Sequence, residues 1–313
     1  MKWLLVVDPL KDLNLPGDTT LAMAEAARKR GHEVYITTLP EMSLDLARGA
    51  YAKTTRIGSC EPLAERVETL EVETCLLTEF SHVFMRKDPP FNMEYVYATY
   101  ILEDAERRGC SVINRAAGLR NATEKLYPLY YPEFCPPQIV TRDADEILDF
   151  LQRNDGKGVI KPLNLMGGRG ILLLSMSDPN LPALLNMALN HGDERLMVQA
   201  FIEEAWDGDK RILYMDGELL GAFVRRPKEG DFRGNICAGA TVEAYQLSKR
   251  DNEILEKIVP DLLSRGQRFI GVDIVGQLLT EINVTSPMGL REIDALEGGS
   301  SAEKMVSIIE RNS

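Results

Sequence analysis

The chain has 313 residues, of which 44% are hydrophobic and 27% are charged, and its formal net charge at pH 7 is −12. This composition is that of a globular protein long enough for two or three domains, so a disordered or fibrous chain is excluded. The acidic balance argues against nucleic-acid partners and against binding to anionic membranes, but it allows a local basic pocket for a small anion.

The chain begins with a short apolar run, Trp3–Val7. This run is too short for a signal-peptide core or a membrane span, so we expect a buried strand in a cytoplasmic protein without membrane partners. The three histidines are scattered, which argues against a zinc site and a Ser-His-Asp triad. The cysteines are odd in number and contain no Cys-x-x-Cys pair, which predicts reduced structural thiols at Cys60, Cys75, Cys110, Cys135 and Cys237.

Strands and helices alternate in the first third of the chain. Asp18 or Thr19 caps a predicted helix that runs to about Arg30 and stops at Gly31, and a second helix is predicted from about Met93 to Arg108. The predicted strands around them are Trp3–Val7, Val34–Thr38, His82–Met85 and Val112–Asn114. This order is typical of a parallel, helix-covered sheet that binds ligands beyond the C-terminal ends of its strands.

Hairpins become frequent from about residue 120. The capping-box pattern of Asp143 and Glu146 predicts the start of a helix that ends at about Arg153, and Pro182–Asn190 is a further predicted helix. Asp216-Gly217 is a strong turn signal between two predicted strands. The predicted strands are Gln138–Arg142, Val159–Pro162, Ile171–Ser175, Leu196–Ile202, Arg211–Met215 and Glu218–Arg225. This part of the chain therefore predicts an α+β fold in two subdomains.

Three oxygen-bearing side chains, Asp273, Glu281 and Asn283, alternate with apolar residues in a predicted hairpin. A three-residue turn at Gly276–Leu278 brings Asp273 opposite Glu281 on one face, whereas a two-residue turn would bury Asp273 among apolar neighbours. Two carboxylates and a carboxamide are the ligands that Mg²⁺ prefers. The residues alone leave open a solvated strand face without a metal.

Lys161 precedes a glycine loop, Gly167–Gly170, that lies between two predicted strands rather than before a helix, so the loop is not a Walker A motif. Successive backbone N–H groups in such a loop can bind an anion, and Lys161 would add a positive charge. A tight hairpin turn beside a solvated lysine is the alternative.

The strand exit at Gln199–Ile202 offers backbone groups that can read an adenine edge, and Asp209 can bind ribose hydroxyls. A simple crossing between domains is the alternative. The basic, glycine-containing stretch at about 226–241 is a candidate lid over an anionic ligand, or else a long surface loop. Arg211 and Arg225 lie on predicted strands and are suited to fixed contacts.

The order of these motifs resembles the ATP-grasp superfamily, and within it the bacterial glutathione synthetases. The resemblance extends over nearly the whole chain. The segments that carry it are Met85–Phe91, Tyr97–Glu103, Asn121–Leu126, Asp207–Arg211, Arg233–Asn235 and Glu281–Pro287.

The resemblance implies a fold that is α/β and α+β, an ATP-grasp fold preceded by an N-terminal parallel-sheet domain. The implied domains are 1–122, 123–200 and 201–313. It implies an ATP-dependent carboxylate–amine ligase that joins γ-glutamylcysteine to glycine through an acyl phosphate, with Mg²⁺ or alternatively Mn²⁺ as cofactor. A homotetramer or homodimer is implied as well, and no protein nucleophile is required.

The resemblance also implies a role for individual residues. Lys125 and Lys161, with Gly167 and Gly168, would hold the ATP phosphates. Adenine and ribose would be bound by Gln199, Ala200, Phe201, Ile202 and Asp209. The metal ligands would be Asp273, Glu281 and Asn283, and the catalytic pair Arg211 and Arg225. The substrate-binding residues would be Arg86, Asn114, Arg233, Asn235, Ser286 and Arg291.

The chain departs from the family's pattern on two loops. Asn164-Leu165 stands where the family commonly has Asp-Gly, and Ala238-Gly239-Ala240 stands where the lid normally continues with Ala-Gly-Gly. Both loops are expected to cover ATP and substrate. Two alternatives therefore stay open, a ligase for another γ-glutamyl or dipeptide substrate and a non-catalytic ATP-binding regulatory protein.

Overall fold

The computed structural model describes residues 1–13, 17–60 and 67–313, apart from the side chain of Cys237. Its N-terminal part contains seven strands and three helices within those ranges. In chain order these are β1 (Lys2–Val6), α1 (Thr19–Lys29), β2 (Glu33–Thr37), β3 (Met42–Asp45), β4 (Gly49–Ile57), β5 (Thr69–Leu76), β6 (His82–Met85), α2 (Met93–Arg107), β7 (Ser111–Ile113) and α3 (Ala116–Asn121). As predicted, the side chain of Asp18 caps α1, accepting the Leu21 N–H at 2.9 Å.

The first sheet is mixed: its four predicted strands are parallel, as expected, but the prediction missed three further strands that are antiparallel. Strands β2, β1, β6 and β7 are parallel neighbours in that order. Strand β4 pairs antiparallel with β2 and also with β3 and β5. These added strands fall between Met42 and Leu76, where β3 and β5 are mostly exposed.

The middle part forms a four-stranded antiparallel sheet in the order β10-β9-β11-β8. Its elements are β8 (Gln138–Thr141), α4 (Ala144–Arg153), β9 (Lys157–Pro162), β10 (Leu172–Ser175), α5 (Leu181–Ala188) and β11 (Leu196–Ala200). Leucines and isoleucines of α4 and α5 pack on one face. The predicted capping box of α4 is half wrong, because Asp143 caps the helix but Glu146 accepts a hydrogen bond from Thr141 instead.

The C-terminal part forms a five-stranded antiparallel sheet in the order β14-β13-β12-β15-β16. Its elements are β12 (Asp209–Met215), β13 (Glu218–Arg226), β14 (Thr241–Ala244), α6 (Lys249–Ser264), β15 (Phe269–Val275), β16 (Leu278–Asn283), α7 (Leu290–Glu297) and α8 (Ser301–Arg311). One face packs on α6. The other face is apolar at one end, where Leu213, Phe223 and Phe269 pack with Trp3 and residues of α1.

The hairpin of β15 and β16 has the predicted pairing, but the predicted turn is wrong. Val275 pairs with Leu278, so the turn has two residues, Gly276 and Gln277. A β-bulge at Thr280 then shifts the register and places Asp273 opposite Glu281. The bulge is held by the Thr280 hydroxyl, which donates to the Asp273 carbonyl at 3.1 Å. The bulge thus supplies the extra residue that the sequence analysis assigned to the turn.

Two further sequence predictions bear on the whole chain. Cys60, Cys75, Cys110 and Cys135 are reduced thiols, as predicted, while the side chain of Cys237 lies outside the described part of the structure. No helix within the described ranges is long and apolar enough to cross a bilayer.

Candidate active site

A cavity of about 440 Å³ lies between the middle sheet, the C-terminal sheet and the loop after β6. Its size is that of a small-molecule site. Most of the predicted site residues line it, namely Lys125, Lys161, Gly167, Gly168, Gln199, Ala200, Phe201, Ile202, Asp209, Arg211, Arg225, Arg233, Asn235, Asp273, Glu281, Asn283 and Ser286. Arg86, Asn114 and Arg291 are absent from the lining.

The polar end of the C-terminal sheet carries a buried network of charges. Arg211 donates to both carboxylate oxygens of Asp273, at 2.5 and 2.7 Å. Arg225 donates to both oxygens of Asp209, at 2.6 Å each, and to Asp273 at 2.9 Å. The register produces this network, because Arg211 stands opposite Asp273 and Asp209 opposite Arg225 in neighbouring strands. Alternating positions put all four side chains on one face.

The network shifts the pKa values of its members in different directions. Burial opposes ionisation of Asp273, but the guanidinium groups of Arg211 and Arg225 outweigh it and hold the pKa of Asp273 well below its usual value. Burial also opposes the charged form of Arg225, yet Asp209 and Asp273 raise the pKa of Arg225. Burial and repulsion by Asp273 raise the pKa of Asp209 despite the attraction of Arg225. Both carboxylate oxygens of Asp209 are thus engaged, so the predicted ribose contact competes with Arg225.

Glu281 and Asn283 of β16 are the oxygen-bearing side chains of this sheet that face the cavity most freely. The carboxylate of Glu281 forms no hydrogen bond or ion pair within the described ranges, and the amide nitrogen of Asn283 is buried without a partner. Within the described ranges no three His, Cys, Asp or Glu side chains are grouped to hold a metal ion. The candidate ligand set is therefore Glu281 and Asn283, with Asp273 shared between this set and the two arginines.

Two lysines line the opposite wall of the cavity. Lys161 is buried at the centre of the middle sheet, and its ammonium has no hydrogen bond or ion pair within the described ranges. Burial lowers the pKa of Lys161, although Glu281 opposes this change. Lys125 donates to the Leu165 carbonyl of the glycine loop at 2.6 Å. The ammonium of a largely buried lysine loses part of its hydration, and an anion bound in the cavity would offset that loss.

The glycine loop and the predicted lid meet above these lysines. Gly168 has φ +75°, and a β-carbon on it would collide with the Asn235 side chain. Gly234 in turn lies directly over the Asp209 carboxylate. Arg233 pairs with Asp231 at 2.7 Å, and this contact lowers the pKa of Asp231 to about 2. The two loops therefore close one side of the cavity.

The far end of the cavity is apolar and aromatic. Phe201, Trp206 and Phe232 form a cluster with ring centroids 5.8 to 6.1 Å apart, and two of them line the cavity. The backbone N–H of Ala200 is already used by the Pro137 carbonyl at 2.9 Å. A flat ring is the ligand shape that such a pocket favours.

The structure gives Asn114 a role that differs from the predicted substrate contact. Its amide nitrogen donates to the carbonyls of Phe269 and Val284 at 2.7 and 2.6 Å, and its amide oxygen accepts the N–H groups of Arg268 and Phe269 at 2.7 Å each. All of its hydrogen-bonding capacity is spent on backbone. Asn114 therefore joins the N-terminal sheet to β15.

The two remaining arginines outside the lining differ in their partners. Arg86 is buried, donating to Thr20 Oγ1 and the Pro287 carbonyl, but its NH1 group has no partner among the described residues. Arg291 faces Glu25 at 3.6 Å. Neither residue lines the cavity in this conformation, although Ser286, which does, donates its hydroxyl to the Arg86 carbonyl at 3.3 Å.

Three carboxylates that the sequence analysis missed also line the cavity: Glu124, Asp88 and Glu292. Burial raises the pKa of each one, and Thr285 opposes this for Glu124 and Ser286 for Asp88. Asp88 and Glu124 fall inside the conspicuous segments Met85–Phe91 and Asn121–Leu126, so a sequence signal existed. Glu292 had none, because it reads as an ordinary acidic residue in the first turn of a helix.

The chain is similar to known proteins over most of its length. Two family models cover nearly the whole chain, the N-terminal domain of prokaryotic glutathione synthetase over residues 1–120 and its ATP-grasp domain over residues 124–298. The glutathione synthetase of Synechocystis sp. is 40% identical, over 99% of each chain. That of Vibrio parahaemolyticus is 40% identical, over 98% of this chain and 97% of the relative.

Solved structures show the fold. The D-cycloserine synthetase DcsG has a TM-score of 0.67 at 14% identity, covering 99% of this chain and 100% of its own. A RimK domain protein of the ATP-grasp type from Sphaerobacter thermophilus has a TM-score of 0.65 at 17% identity, covering 98% of each chain. The chain thus has an ATP-grasp fold preceded by an N-terminal α/β domain, as the sequence analysis predicted.

Proposed function

The chain belongs to the prokaryotic glutathione synthetase family, and we propose that its cavity joins γ-glutamylcysteine to glycine with ATP, giving glutathione, ADP and phosphate. The observation that carries this proposal is that a positively charged wall of the cavity faces a wall of oxygen ligands. The unpartnered ammonium of the largely buried Lys161 and the free oxygens of Glu281 and Asn283 line the same space. A nucleoside triphosphate with a divalent cation satisfies both walls at once.

We propose that the nucleotide lies along the middle sheet. Lys161 and Lys125 bind phosphate oxygens, and Lys125 exchanges its contact with the Leu165 carbonyl for one of them. The backbone N–H groups of Gly167 and Gly168 add hydrogen bonds. The base enters the aromatic end, where Gln199, Ala200, Phe201 and Ile202 line the wall. Asp209 holds the ribose when it turns from Arg225.

The residues of β16 fit a divalent cation. Asn283 has an amide nitrogen without a partner, so its carboxamide is free to present its oxygen, and Glu281 presents a free carboxylate. Asp273 completes the set. Hard oxygen ligands suit Mg²⁺, and Mn²⁺ is the alternative. Such a cation, when bound, offsets phosphate charge during transfer.

The reaction needs no protein nucleophile. The cysteinyl carboxylate of the dipeptide attacks the terminal phosphate, and Arg211 and Arg225 offset the negative charge of the transferring group. The amine of glycine then attacks the acyl phosphate. The glycine loop and the lid, which meet at Gly168 and Asn235, exclude water that would hydrolyse this intermediate.

We assign the donor dipeptide to the part of the cavity near Ser286, with Arg233 and Asn235 of the lid above it and Arg86 behind it. Arg291 binds substrate only after release from Glu25. We also propose that residues 1–122, 123–200 and 201–313 act as three domains in a cytoplasmic homodimer or homotetramer. Light scattering during size-exclusion chromatography measures the assembly.

Product identification by mass spectrometry tests the function. We expect glutathione and one ADP per product when the purified protein receives ATP, Mg²⁺, γ-glutamylcysteine and glycine. Omission of glycine should abolish the product. If ADP release is independent of glycine but follows another amine in a panel, the enzyme is a ligase with a different acceptor.

Ligation to a different acceptor amine is the second candidate function. It is favoured because Leu165, one of the residues that depart from the family's pattern, lines the cavity. Binding of ATP without turnover of any dipeptide or amine tested would instead identify a regulatory protein. Calorimetry with ATP and Mg²⁺ separates that outcome from a misfolded preparation.

A further inference from the structure

Glu292 is a carboxylate of the cavity wall that no step above uses. It lies in the first turn of α7 and lines the cavity together with Ser286, Met288 and Gly289. One of its carboxylate oxygens, Oε2, is buried and has no hydrogen-bond partner among the described residues. An unpartnered buried acceptor is costly in a folded protein, and a ligand donor would remove that cost.

The entrance to α7 is fixed from two sides, so the position of Glu292 is well defined. Arg211 NH1 donates to the Met288 carbonyl at 3.0 Å. From the opposite side, Thr19 Oγ1 accepts the N–H groups of Gly289 and Leu290 at 3.0 and 3.3 Å. Gly289 itself packs against the ring of Phe223. The loop thus holds Glu292 beside the arginine network of the reaction centre.

The charged side chains near Glu292 already form ion pairs with other residues. Arg211 and Arg225 on β12 and β13 are paired with Asp273 and Asp209, and Arg291 on the same helix faces Glu25 of α1. Glu292 forms no ion pair within the described ranges. Burial raises the pKa of Glu292, while a hydrogen bond from its own backbone N–H and the charges of Arg211, Arg225 and Arg291 favour its charged form.

An ordinary structural role explains less. An acidic residue in the first turn of a helix favours the helix dipole and its free N–H groups. The bond from the backbone N–H of Glu292 to its own carboxylate is such a contact, but it leaves the buried Oε2 without a partner. The buried, unpartnered oxygen of Glu292 at a cavity wall points instead to a ligand that carries a proton donor.

We propose that Glu292 binds the ammonium group of the acceptor amino acid and acts as its catalytic base. This inference rests on the proposed function. The ammonium gives one proton to the carboxylate, the resulting amine forms the C–N bond with the acyl carbon, and the C–O bond to phosphate breaks. The electron pair leaves with phosphate, which takes the second proton of the nitrogen.

The test compares two nucleophiles in the Glu292→Gln variant of the full chain. Glycine must lose a proton before it attacks, whereas hydroxylamine is largely unprotonated at neutral pH and converts an acyl phosphate to a hydroxamate. We expect kcat/KM for glycine to fall by about 100-fold or more, the usual range for loss of a general base. Hydroxamate formation from ATP and γ-glutamylcysteine should stay within about threefold of wild type.

Two further variants control the comparison. Glu297→Gln changes an exposed carboxylate of the same helix and should behave like wild type. Glu292→Asp keeps the carboxylate and should recover part of the glycine rate. Raising the pH should also increase kcat/KM for glycine more in Glu292→Gln than in wild type, because free amine becomes available.

The outcomes distinguish a failure of the role of Glu292 from a failure of the proposed function. Equal loss with glycine and hydroxylamine, or normal glycine kinetics in Glu292→Gln, would overturn the role of Glu292 while the function stands. Absence of glutathione with the wild-type chain would overturn the proposed function, and this inference with it.

Discussion

Arg211 holds both carboxylate oxygens of Asp273, at 2.5 and 2.7 Å, across neighbouring strands of the C-terminal sheet. Two residues that were predicted for separate roles, catalysis and metal binding, are thus one hydrogen-bonded unit. Any cation that recruits Asp273 must share it with Arg211. Glu281 and Asn283 are therefore the residues in which metal binding can be tested without breaking a buried ion pair.

Asn283→Ala should impair metal-dependent turnover far more than folding. The amide nitrogen of Asn283 has no partner, so its removal leaves no protein group newly unsatisfied. We expect the Mg²⁺ concentration for half-maximal activity to rise by about tenfold, equivalent to about 1.4 kcal/mol. Activity titrated with Mg²⁺ and thermal unfolding measure the two effects. A large drop in Tm with normal Mg²⁺ dependence would contradict the assignment.

Lys161→Met should weaken ATP binding without lowering the stability of the ligand-free protein. Burial lowers the pKa of Lys161, which means that folding disfavours its charged form. This penalty is fully present below the folded-state pKa. It fades as the pH rises from there to the ordinary lysine pKa, because the unfolded chain binds more protons in that window. Removing the charge removes the penalty, and with it a phosphate contact.

The control for Lys161→Met is Lys53→Met, on β4 of the N-terminal sheet. The side chain of Lys53 is exposed and does not line the cavity, so its loss should change neither property by much. Isothermal calorimetry with ATP and urea unfolding measure both variants. Unchanged ATP affinity in Lys161→Met would refute the phosphate contact.

Asn114→Ala should destabilise the protein but leave substrate kinetics intact below its unfolding temperature. The change leaves four buried backbone groups without partners, each worth about 1–3 kcal/mol when unsatisfied. We expect a loss of roughly 3 kcal/mol or more in the free energy of unfolding. Chemical denaturation measures it, and Asn312→Ala at an exposed hydrogen bond is the control. An increased KM for γ-glutamylcysteine with little destabilisation would restore the substrate role.

His82 should make the protein acid-sensitive well above the pH at which carboxylates protonate. Burial lowers the pKa of His82 to about 4, with a smaller contribution from Arg268. The unfolded state therefore binds more protons than the folded state between about pH 6.5 and 4, and stability falls as the pH is lowered through that window. The loss from this group is at most about 3 kcal/mol.

Urea unfolding at pH 7 and pH 5 measures the effect of His82. We expect His82→Gln to show a smaller difference between the two pH values than wild type. His191→Gln, at an exposed position, should keep the wild-type difference. Equal differences in all three proteins would show that other groups control the acid sensitivity.

The sequence was most informative where local chemistry decides structure. Helix α1 begins after Asp18 because that side chain caps it, and β6 spans His82–Met85 as its apolar run predicts. The order of the lysines, the glycine loop and the acidic hairpin was enough to indicate the family. The sequence analysis did not predict the strands between Met42 and Leu76. These segments are strands because they pair with neighbouring strands, and their composition alone does not indicate it.

The sequence by itself determined which residue types are present for nucleotide, metal and acyl transfer, because those chemistries demand lysines, oxygen ligands and arginines in a recognisable order. Only the tertiary structure decided how they are shared. The bulge at Thr280 places Asp273 opposite Glu281. The register of the sheet pairs Asp273 with Arg211 and Asp209 with Arg225. Asn114, at the end of β7, forms its hydrogen bonds with backbone groups. Hydrogen-bonding capacity is finite, and its allocation depends on distances between residues that are remote in the chain.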